Sequence, residues 1–399
     1  MDKKMVLLLI LILFSNYAFS FKLGIENIPD EFFTQFNSTG KARLGVITNQ
    51  TGCNKNGEPT YQLLQTYGQV KTIFAPEHGF DGTCLAGKEV VDSTHGSIQI
   101  VSLYGNGTGK KIDSDALQDI DALVFDMQDS GMRHYTYIST LFYVLQSAAK
   151  NNKPIVVLDR PNPLGAVAEG PLVDPQLHSF ISIAPIPLRH GMTIGEIARY
   201  FNIYLLEEKA SLFVIPMEEY DRKSLDSLLV QLSPNIASIQ SCYGYSFLGL
   251  IGEIDPLDVG VGTEKAFQCI TAEKKYTIDW QHLKQVLSKH GLLAADYEYF
   301  NQKRQQHMQG VSITIQDIDS FCGFKLLVEL LPFFKKSGIQ LDAKQSFCKA
   351  VGTRAVEQFM AGTLSFEQLR TSINTQLELF YKHVRPALIY HKLPILYAL

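Results

Sequence analysis

Residues 70–82, with the sequence VKTIFAPEHGFDG, join an apolar run to a polar loop that contains glycine. The run from Val70 to Phe74 is typical of a buried strand in a parallel sheet. The loop that follows puts Glu77 and His78 at the carboxyl end of that strand, and open α/β sheets bind ligands at this edge. The segment therefore predicts Glu77 as the chemical centre of an enzyme, although a capping glutamate in an ordinary loop fits the same residues.

Apolar strands alternate with helices through the first 235 residues. Strands are predicted at residues 42–49, 70–74, 98–103, 122–126, 154–159 and 213–216, and helices at residues 61–67, 137–150 and 194–206. Thr193 as N-cap, with Glu196 three residues later, forms a capping box at the start of the last of these helices. The alternation predicts an α/β fold built on a doubly wound parallel sheet.

The chain changes character near residue 235. A turn-rich segment at residues 242–263 is followed by a half-exposed strand at 311–315 and by helices at 324–334, near 347–360 and at 366–381. We predict a signal peptide at residues 1–20, a catalytic domain at 21–235, and a smaller α+β domain at 236–399 that closes the cleft.

The first twenty residues have the order of a secretory signal peptide. Lys3 and Lys4 precede an apolar core at residues 5–14, and Ala18 and Ser20 give a small-x-small cleavage site. The apolar core is too short to span a bilayer, so we expect a secreted or periplasmic protein without stable membrane insertion. The net charge of −4, with no basic block, argues against nucleic acid as a partner. The sequence does not indicate an oligomeric state.

Cysteines and known motifs limit the chemistry further. In an oxidising compartment the six cysteines permit up to three disulfides, but their wide, irregular spacing favours partly buried free thiols. The histidines show no metal-ligand spacing, so we predict no metal site. The absence of a GxSxG elbow, a Walker motif and a GxGxxG after the first strand disfavours serine hydrolases and nucleotide enzymes, and no cofactor is predicted.

Three further loops follow predicted strands and are expected on the same rim as Glu77. They supply the candidate residues Asp126, Asp129, Arg133, Tyr137, Arg160, Asn162, Arg189 and His190. Carboxylates, amides, tyrosines and arginines around a cleft suit a polyhydroxylated, anionic ligand such as an acidic sugar. Strand-end aspartates are also common as loop anchors, tyrosines as packing residues, and histidines such as His78 and His190 as structural groups.

Five motifs occur in order along this part of the chain. They are APEHGF (75–80), LVFDMQDSGMRHYTY (123–137), VLDRPNPLG (157–165), EGPLVD (169–174) and PIPLRHGMTIGE (185–196). Together they resemble the exo-β-N-acetylmuramidase (NamZ) family of peptidoglycan-recycling glycoside hydrolases. The resemblance covers most of residues 42–235, and only its outline remains toward the C-terminus.

The resemblance implies a Rossmann-like N-terminal domain, a smaller C-terminal domain and an active site in the cleft between them. The implied reaction is release of N-acetylmuramic acid from the non-reducing end of peptidoglycan-derived saccharides. Glu77 matches the proposed catalytic glutamate of the family, and we assign it as general acid with Asp126 or Asp129 as the second carboxyl group. Attack by the substrate's own acetamido group is an alternative. The candidate substrate-binding residues are His78, Arg133, Tyr137, Arg160, Asn162, Arg189 and His190.

The sequence also departs from the family pattern. Asp81 and Val261 occupy positions where the family usually has arginine, and its Glu-Gly-Thr is replaced around residues 252–255. These departures bear on which sugar is accepted, and they motivate a second hypothesis, a saccharide-binding protein of the same fold with weakened catalysis. A third hypothesis, a cell-wall esterase or amidase, lacks a recognisable nucleophile constellation.

Overall fold

The computed structural model describes residues 21–391 and 394–399. The predicted signal peptide lies outside the described residues. Within them the chain has a mixed α/β architecture, in which a large, mostly parallel sheet is followed by a second, C-terminal domain. The domain boundary near residue 235 stays a prediction.

The large sheet has seven strands within the described residues. In chain order they are Arg43–Thr48, Gln69–Ala75, Ser93–His95, Ile98–Ser102, Ala122–Asp126, Ile155–Leu158 and Leu212–Ile215. Each strand can be identified by its first residue. In that notation the order across the sheet, from one edge to the other, is Leu212, Ile155, Ala122, Arg43, Gln69, Ile98 and Ser93. All six predicted strands are confirmed and pair in parallel, and the short edge strand at Ser93, which was not predicted, is antiparallel.

Apolar side chains cover both faces of this sheet. Leu123 and Phe125 face the larger core, whereas Ala122 and Val124 face a second core that includes residues near the start of the described chain, such as Phe33. Because successive side chains of a strand point to opposite faces, a strand buried on both sides must be apolar throughout. This requirement explains why continuous apolar runs predicted the strands correctly.

The predicted helices are present, but the turn-rich segment predicted at residues 242–263 is wrong in its first part, because the α-helix Ile239–Ile251, capped by Ser238, occupies it. Within the described residues, the α-helices are Thr60–Leu63, Tyr137–Lys150, Ile194–Tyr200, Ile239–Ile251, Trp280–Lys289, Gly323–Lys336, Gln345–Val351, Ala355–Ala361 and Phe366–Val384. The capping box at Thr193 and Glu196 is present, but the α-helix ends at Tyr200 and a π-turn, Phe201–Leu205, follows it. The single helix predicted near 347–360 is wrong, because Gly352, with φ of 87°, ends the first of two short helices.

An antiparallel sheet dominates the C-terminal part. Cys269–Glu273 and Leu292–Asn301 both pair with the central strand Gln306–Ile315, of which only residues 311–315 were predicted. Three smaller sheets complete the strands of the described chain. Their members are Val167–Glu169 with Arg189–His190 and Ile395–Tyr397, Ile254–Asp255 with Asp342–Ala343, and Tyr104–Gly105 with Thr108–Gly109.

The six cysteines are all free thiols. Burial raises the pKa of Cys53, Cys242, Cys269, Cys322 and Cys348. These thiols therefore stay protonated at neutral pH. Among the described helices, none combines the length and apolar composition needed to cross a bilayer.

Candidate active site

An open cleft lies at the carboxyl edge of the large sheet and is lined by residues from both parts of the chain. The cleft has a volume of about 330 Å³. The N-terminal part contributes Glu77, His78 and His134, and the C-terminal part contributes Tyr245 and Glu253. Pockets of this size and mixed polarity are typical of small-ligand sites.

Glu77 is held by hydrogen bonds to both of its carboxylate oxygens. The backbone N–H of Gly87 donates to Oε1 at 2.9 Å, and the Thr136 hydroxyl donates to Oε2 at 2.7 Å. The side chain is 7% exposed and reaches the cleft. Burial, followed by the adjacent Glu77 carboxylate, raises the pKa of Tyr104, so that phenol stays protonated beside the acid. The carboxyl group is thus fixed in position while one surface remains open to a ligand.

His78 turns the chain immediately after the glutamate. Its φ is 73° and that of Gly79 is 80°, so two successive residues have left-handed backbone conformations. The imidazole Nδ1 lies 2.6 Å from the carbonyl oxygen of Cys84. Because a carbonyl oxygen can only accept, Nδ1 carries the proton of this bond and Nε2 is the nitrogen left for a ligand.

Glu253 is a second carboxylate in the cleft, which sequence analysis did not identify. It follows Gly252, the residue that caps the Ile239–Ile251 helix, and its side chain accepts a hydrogen bond from the Ser346 hydroxyl. Its backbone carbonyl accepts a second bond, from the N–H of Lys344 at 3.0 Å. The only signal in the sequence was that residues 252–255 depart from the family pattern.

Asp126 lies outside the cleft lining. The carboxylate is fully buried and pairs with Arg160, whose Nη2 lies 2.7 Å from Oδ2, and the Thr60 hydroxyl also donates to it. Arg160 additionally donates to the carbonyl oxygen of Cys53 at 2.8 Å. The structure therefore brings Asp126 and Arg160 together as a closed ion pair, not as groups that face a ligand.

Asp129 and His190 form a second buried pair. The N–H of Met192 donates to His190 Nδ1 at 3.2 Å, so Nε2 carries the proton and donates to Asp129 Oδ2 at 3.1 Å. Asp129 Oδ2 also accepts from the N–H of Gly131 at 2.7 Å. This pair orders the loop behind the cleft and does not line it.

Arg133 and Arg189 are fully buried and bind backbone carbonyl groups. Arg133 donates to the carbonyl oxygens of Pro171, Ile186, Ala350 and Val351 at 2.6–3.1 Å. Arg189 donates to those of Leu164, Ile318 and Phe321, and lies 3.6 Å from the Glu169 carboxylate. Burial lowers the pKa of Arg133 to about 9, and burial also lowers the pKa of Arg189. Both arginines join distant segments of the chain.

Tyr137 and Asn162 are also enclosed. The Tyr137 hydroxyl accepts from Asn49 Nδ2 at 2.6 Å and donates to the Leu232 carbonyl at 3.3 Å. Asn162 donates from Nδ2 to the Met192 carbonyl at 3.0 Å. Of the ten residues predicted for catalysis and substrate binding, the structure brings Glu77 and His78 to the cleft lining. The roles assigned to all ten stay predictions.

His134 is a further residue of the lining that was not singled out. Its ring lies 4.6 Å from that of Tyr245, and burial, then the charge of Arg133, lowers its pKa to about 3. Neither ring nitrogen has a hydrogen-bond partner within the described chain. The imidazole is therefore neutral at neutral pH. Across the described residues, no cluster of three or more His, Cys, Asp or Glu side chains could hold a metal ion.

Two family models match this chain, one in its N-terminal part and the other in its C-terminal part. The family model described as exo-β-N-acetylmuramidase NamZ, N-terminal, matches residues 44–240, and its C-terminal counterpart matches residues 243–390. The family match thus continues through the C-terminal part, where the sequence motifs had shown only the outline of the family pattern. The peptidoglycan β-N-acetylmuramidase NamZ of Bacillus subtilis (strain 168) is 34% identical over 387 residues, which cover 92% of this chain and 91% of that protein.

Two solved structures share the fold. A DUF1343 family protein from Bacteroides fragilis superposes with a TM-score of 0.77 at 27% identity, and a second from the same organism with 0.71 at 23% identity. Each alignment covers 93% of this chain and 99% of the other. With both family models matched in order and a relative similar over nearly the whole length, this chain belongs to the exo-β-N-acetylmuramidase NamZ family.

Proposed function

We propose that this protein is an exo-acting glycosidase that releases N-acetylmuramic acid from the non-reducing end of peptidoglycan-derived saccharides. The observation that carries the proposal is the Glu77 carboxyl group, fixed by Thr136 and Gly87 and open to the cleft. Family membership and a relative that is a peptidoglycan β-N-acetylmuramidase support it. The same observations favour turnover over the hypothesis of a saccharide-binding protein without catalysis.

Glycoside hydrolysis uses two carboxyl groups, and the cleft offers Glu77 and Glu253. In this proposal Glu77 is the general acid: the bond from the anomeric carbon to the leaving oxygen breaks, and that oxygen takes the Glu77 proton. A water molecule then supplies the hydroxyl group at the anomeric carbon, and the proton that this water loses is taken up by a carboxylate of the cleft. Glu253 is the second carboxyl group, because the buried Asp126 would have to leave Arg160 to reach a substrate.

We also propose that the N-terminal domain has a Rossmann-like fold and that a smaller C-terminal domain follows it. If the parallel strands are numbered one to six along the chain, their order across the sheet is 3-2-1-4-5-6. That order is the one found in Rossmann folds, and it supports a Rossmann-like, doubly wound N-terminal domain. The change from one family model to the next between residues 240 and 243 supports a smaller C-terminal domain that begins near residue 235.

We also propose that the protein is secreted or periplasmic. The support is the order of residues 1–20, in which lysines precede an apolar core and a small-x-small site. Peptidoglycan-derived saccharides occur outside the cytoplasmic membrane, so such a location suits the proposed substrate.

Product identification tests the proposed reaction. The purified protein is incubated with muramidase-digested cell-wall fragments, and the released sugars are identified by mass spectrometry. We expect free N-acetylmuramic acid to accumulate as a monosaccharide. Internal cleavage into larger oligosaccharides, or release of peptide without sugar, would exclude the exo-glycosidase.

A further inference from the structure

His134 is a buried polar residue in the lining of the cleft. It is 8% exposed, and neither of its ring nitrogens has a hydrogen-bond partner within the described residues. A buried polar group without a partner costs stability, so folded proteins contain few of them and each one calls for an explanation. The unpaired imidazole therefore points to a group that enters the cleft from outside and pairs with it.

The wall of the cleft beside the His134 ring carries no side chain at one position. Tyr245 and Gly249, four residues apart on the helix Ile239–Ile251, share one face of that helix, and both line the cleft. A Cβ atom at Gly249 would lie 2.9 Å from His134 Nε2 and 3.0 Å from the ring of Tyr245. Glycine at this position thus leaves a small gap beside both rings, next to Nε2.

The His134 ring belongs to an aromatic cluster in the cleft. It lies 4.6 Å from the ring of Tyr245, which lies 4.9 Å from that of Phe267 and 6.1 Å from that of Tyr135. Burial, then the charge of Arg133, lowers the pKa of His134 to about 3, so the imidazole is neutral and offers one N–H donor and one acceptor. A neutral polar group with an apolar end suits this cluster, because its polar atom can pair with the imidazole while its apolar end contacts the rings.

We propose that His134 binds the acetamido group of the N-acetylmuramyl residue, with Nε2 donating to the carbonyl oxygen and the methyl group in contact with Tyr245. This inference rests on the proposed function and names a residue that recognises its substrate. The acetamido group is uncharged and combines an acceptor with a methyl group, whereas the hydroxyl groups of the sugar have no apolar end. Both His134 nitrogens are enclosed, so the two rings part as the group enters, and Gly249 has no side chain to block it.

A pair of monosaccharides tests the assignment by calorimetry on the wild type and on His134→Phe. N-acetylmuramic acid is compared with 3-O-lactylglucose, which has a hydroxyl group in place of the acetamido group. We expect the wild type to bind N-acetylmuramic acid about tenfold more tightly, the equivalent of one hydrogen bond, and His134→Phe to reduce this ratio to about threefold or less. Equal affinity of the wild type for the two sugars, or an unchanged ratio in His134→Phe, would overturn the assignment.

His307→Phe is the matched control for this substitution. His307 is exposed, its ring lies 5.0 Å from that of Phe300, and it is outside the cleft lining. The same change of side chain at this position should leave the wild-type ratio in place. A ratio that fell equally in His307→Phe and His134→Phe would contradict a specific contact at His134.

Gly249→Ala tests the geometry without removing the imidazole. The added methyl group would occupy the gap beside Nε2, so this variant should also lose the preference for N-acetylmuramic acid over 3-O-lactylglucose. Gly40→Ala makes the same change where a Cβ atom meets nothing within 4 Å, and it should keep the preference. A wild-type preference in Gly249→Ala would contradict the placement of the acetamido group at Nε2.

Binding and turnover separate this inference from the proposed function. The two monosaccharides have no glycosidic bond to cleave, so their comparison decides the role of His134 even if the protein hydrolyses no glycoside and the proposed function fails. Where a chromogenic β-N-acetylmuramide is cleaved, His134→Phe should raise KM about tenfold with little change in kcat, because the contact is made before and during the reaction. A loss confined to kcat would overturn the assignment of His134 to substrate binding.

Discussion

The strands Gln69–Ala75 and Ala122–Asp126 flank the same central strand, yet their carboxyl ends lead to opposite outcomes. After the first, Glu77 accepts hydrogen bonds from neutral donors and faces the cleft. At the end of the second, Asp126 is fully buried against Arg160. A position at a strand end thus brings an acid to the rim of the sheet. The group that pairs with the acid then determines whether its carboxylate is available to a ligand. A carboxylate paired with arginine has become part of the scaffold.

The largest effect on stability is expected where the buried ion pair is broken. Asp126→Asn leaves the guanidinium of Arg160 buried without its counter-charge, which should lower the free energy of unfolding by about 3–5 kcal/mol. Chemical denaturation measures the change. If Asp126→Asn kept wild-type stability and lost only activity, Asp126 would be a catalytic residue like Glu77. The proposed contrast between a catalytic and a structural acid would then be wrong.

Asp159 is a third acid at the end of a strand and extends the comparison of Glu77 with Asp126. Its hydrogen-bond partners are hydroxyl and N–H donors and not an arginine. Tyr390 and Thr193 donate to Oδ2 at 2.6 and 2.8 Å, and burial raises the pKa to about 6 from 3.8. A carboxyl whose pKa rises on folding stabilises the fold fully below its unfolded pKa, and the contribution is lost as the pH rises through its folded pKa.

The wild-type free energy of unfolding should therefore contain a component that falls by about 3 kcal/mol in total as the pH rises from below 4 to above 6. Asp159→Asn should flatten this part of the profile, measured by denaturation across that pH range. An unchanged slope in the variant would show that Asp159 does not titrate there.

Replacing Glu253 by glutamine tests whether the cleft contains a second reactive carboxyl group. Glu253→Gln should lower kcat about a hundredfold, the lower range for loss of acid–base assistance, while the thermal midpoint changes little because the side chain is half-buried. Glu264→Gln makes the same chemical change at an exposed position and serves as the control. Comparable rates for the two variants would remove Glu253 from the mechanism.

The smallest expected effect concerns His134. Its buried ring nitrogens have no partners within the described residues, so His134→Phe removes unsatisfied polar atoms and keeps an aromatic ring beside Tyr245. We expect an increase of about 1 kcal/mol in the free energy of unfolding. A clear loss of stability would mean that bound water satisfies the imidazole in solution.

The central sheet and the position of Glu77 at its carboxyl edge were predictable because local patterns specify them. A strand buried on both faces must be apolar throughout, and its polar successor must lie at the carboxyl edge. The antiparallel sheet was mostly missed because Leu292–Asn301, between its two buried ends, is made of half-buried and exposed residues, two of which, Asp296 and Glu298, are charged. Such a strand depends on its pairing with Gln306–Ile315, which the local composition does not reveal.

The roles of the arginines depend on contacts between distant parts of the chain. Arg133 donates to the carbonyl of Val351, which lies 218 residues further along. No local pattern tells whether a guanidinium will meet a ligand carboxylate or a distant carbonyl group. Glu253 was missed for a related reason: it follows a helix in the C-terminal part, and only folding brings it to the Glu77 cleft.

The most direct test of the central claim compares two carboxylates of one loop. Asp81 is exposed and accepts from Thr83, whereas Glu77 reaches the cleft, so Glu77→Gln and Asp81→Asn make the same change in different settings. The measurement is kcat/KM on a chromogenic β-N-acetylmuramide. We predict a loss of about a thousandfold for Glu77→Gln, with wild-type circular dichroism, and less than tenfold for Asp81→Asn. Turnover by Glu77→Gln within tenfold of the wild type would contradict the account.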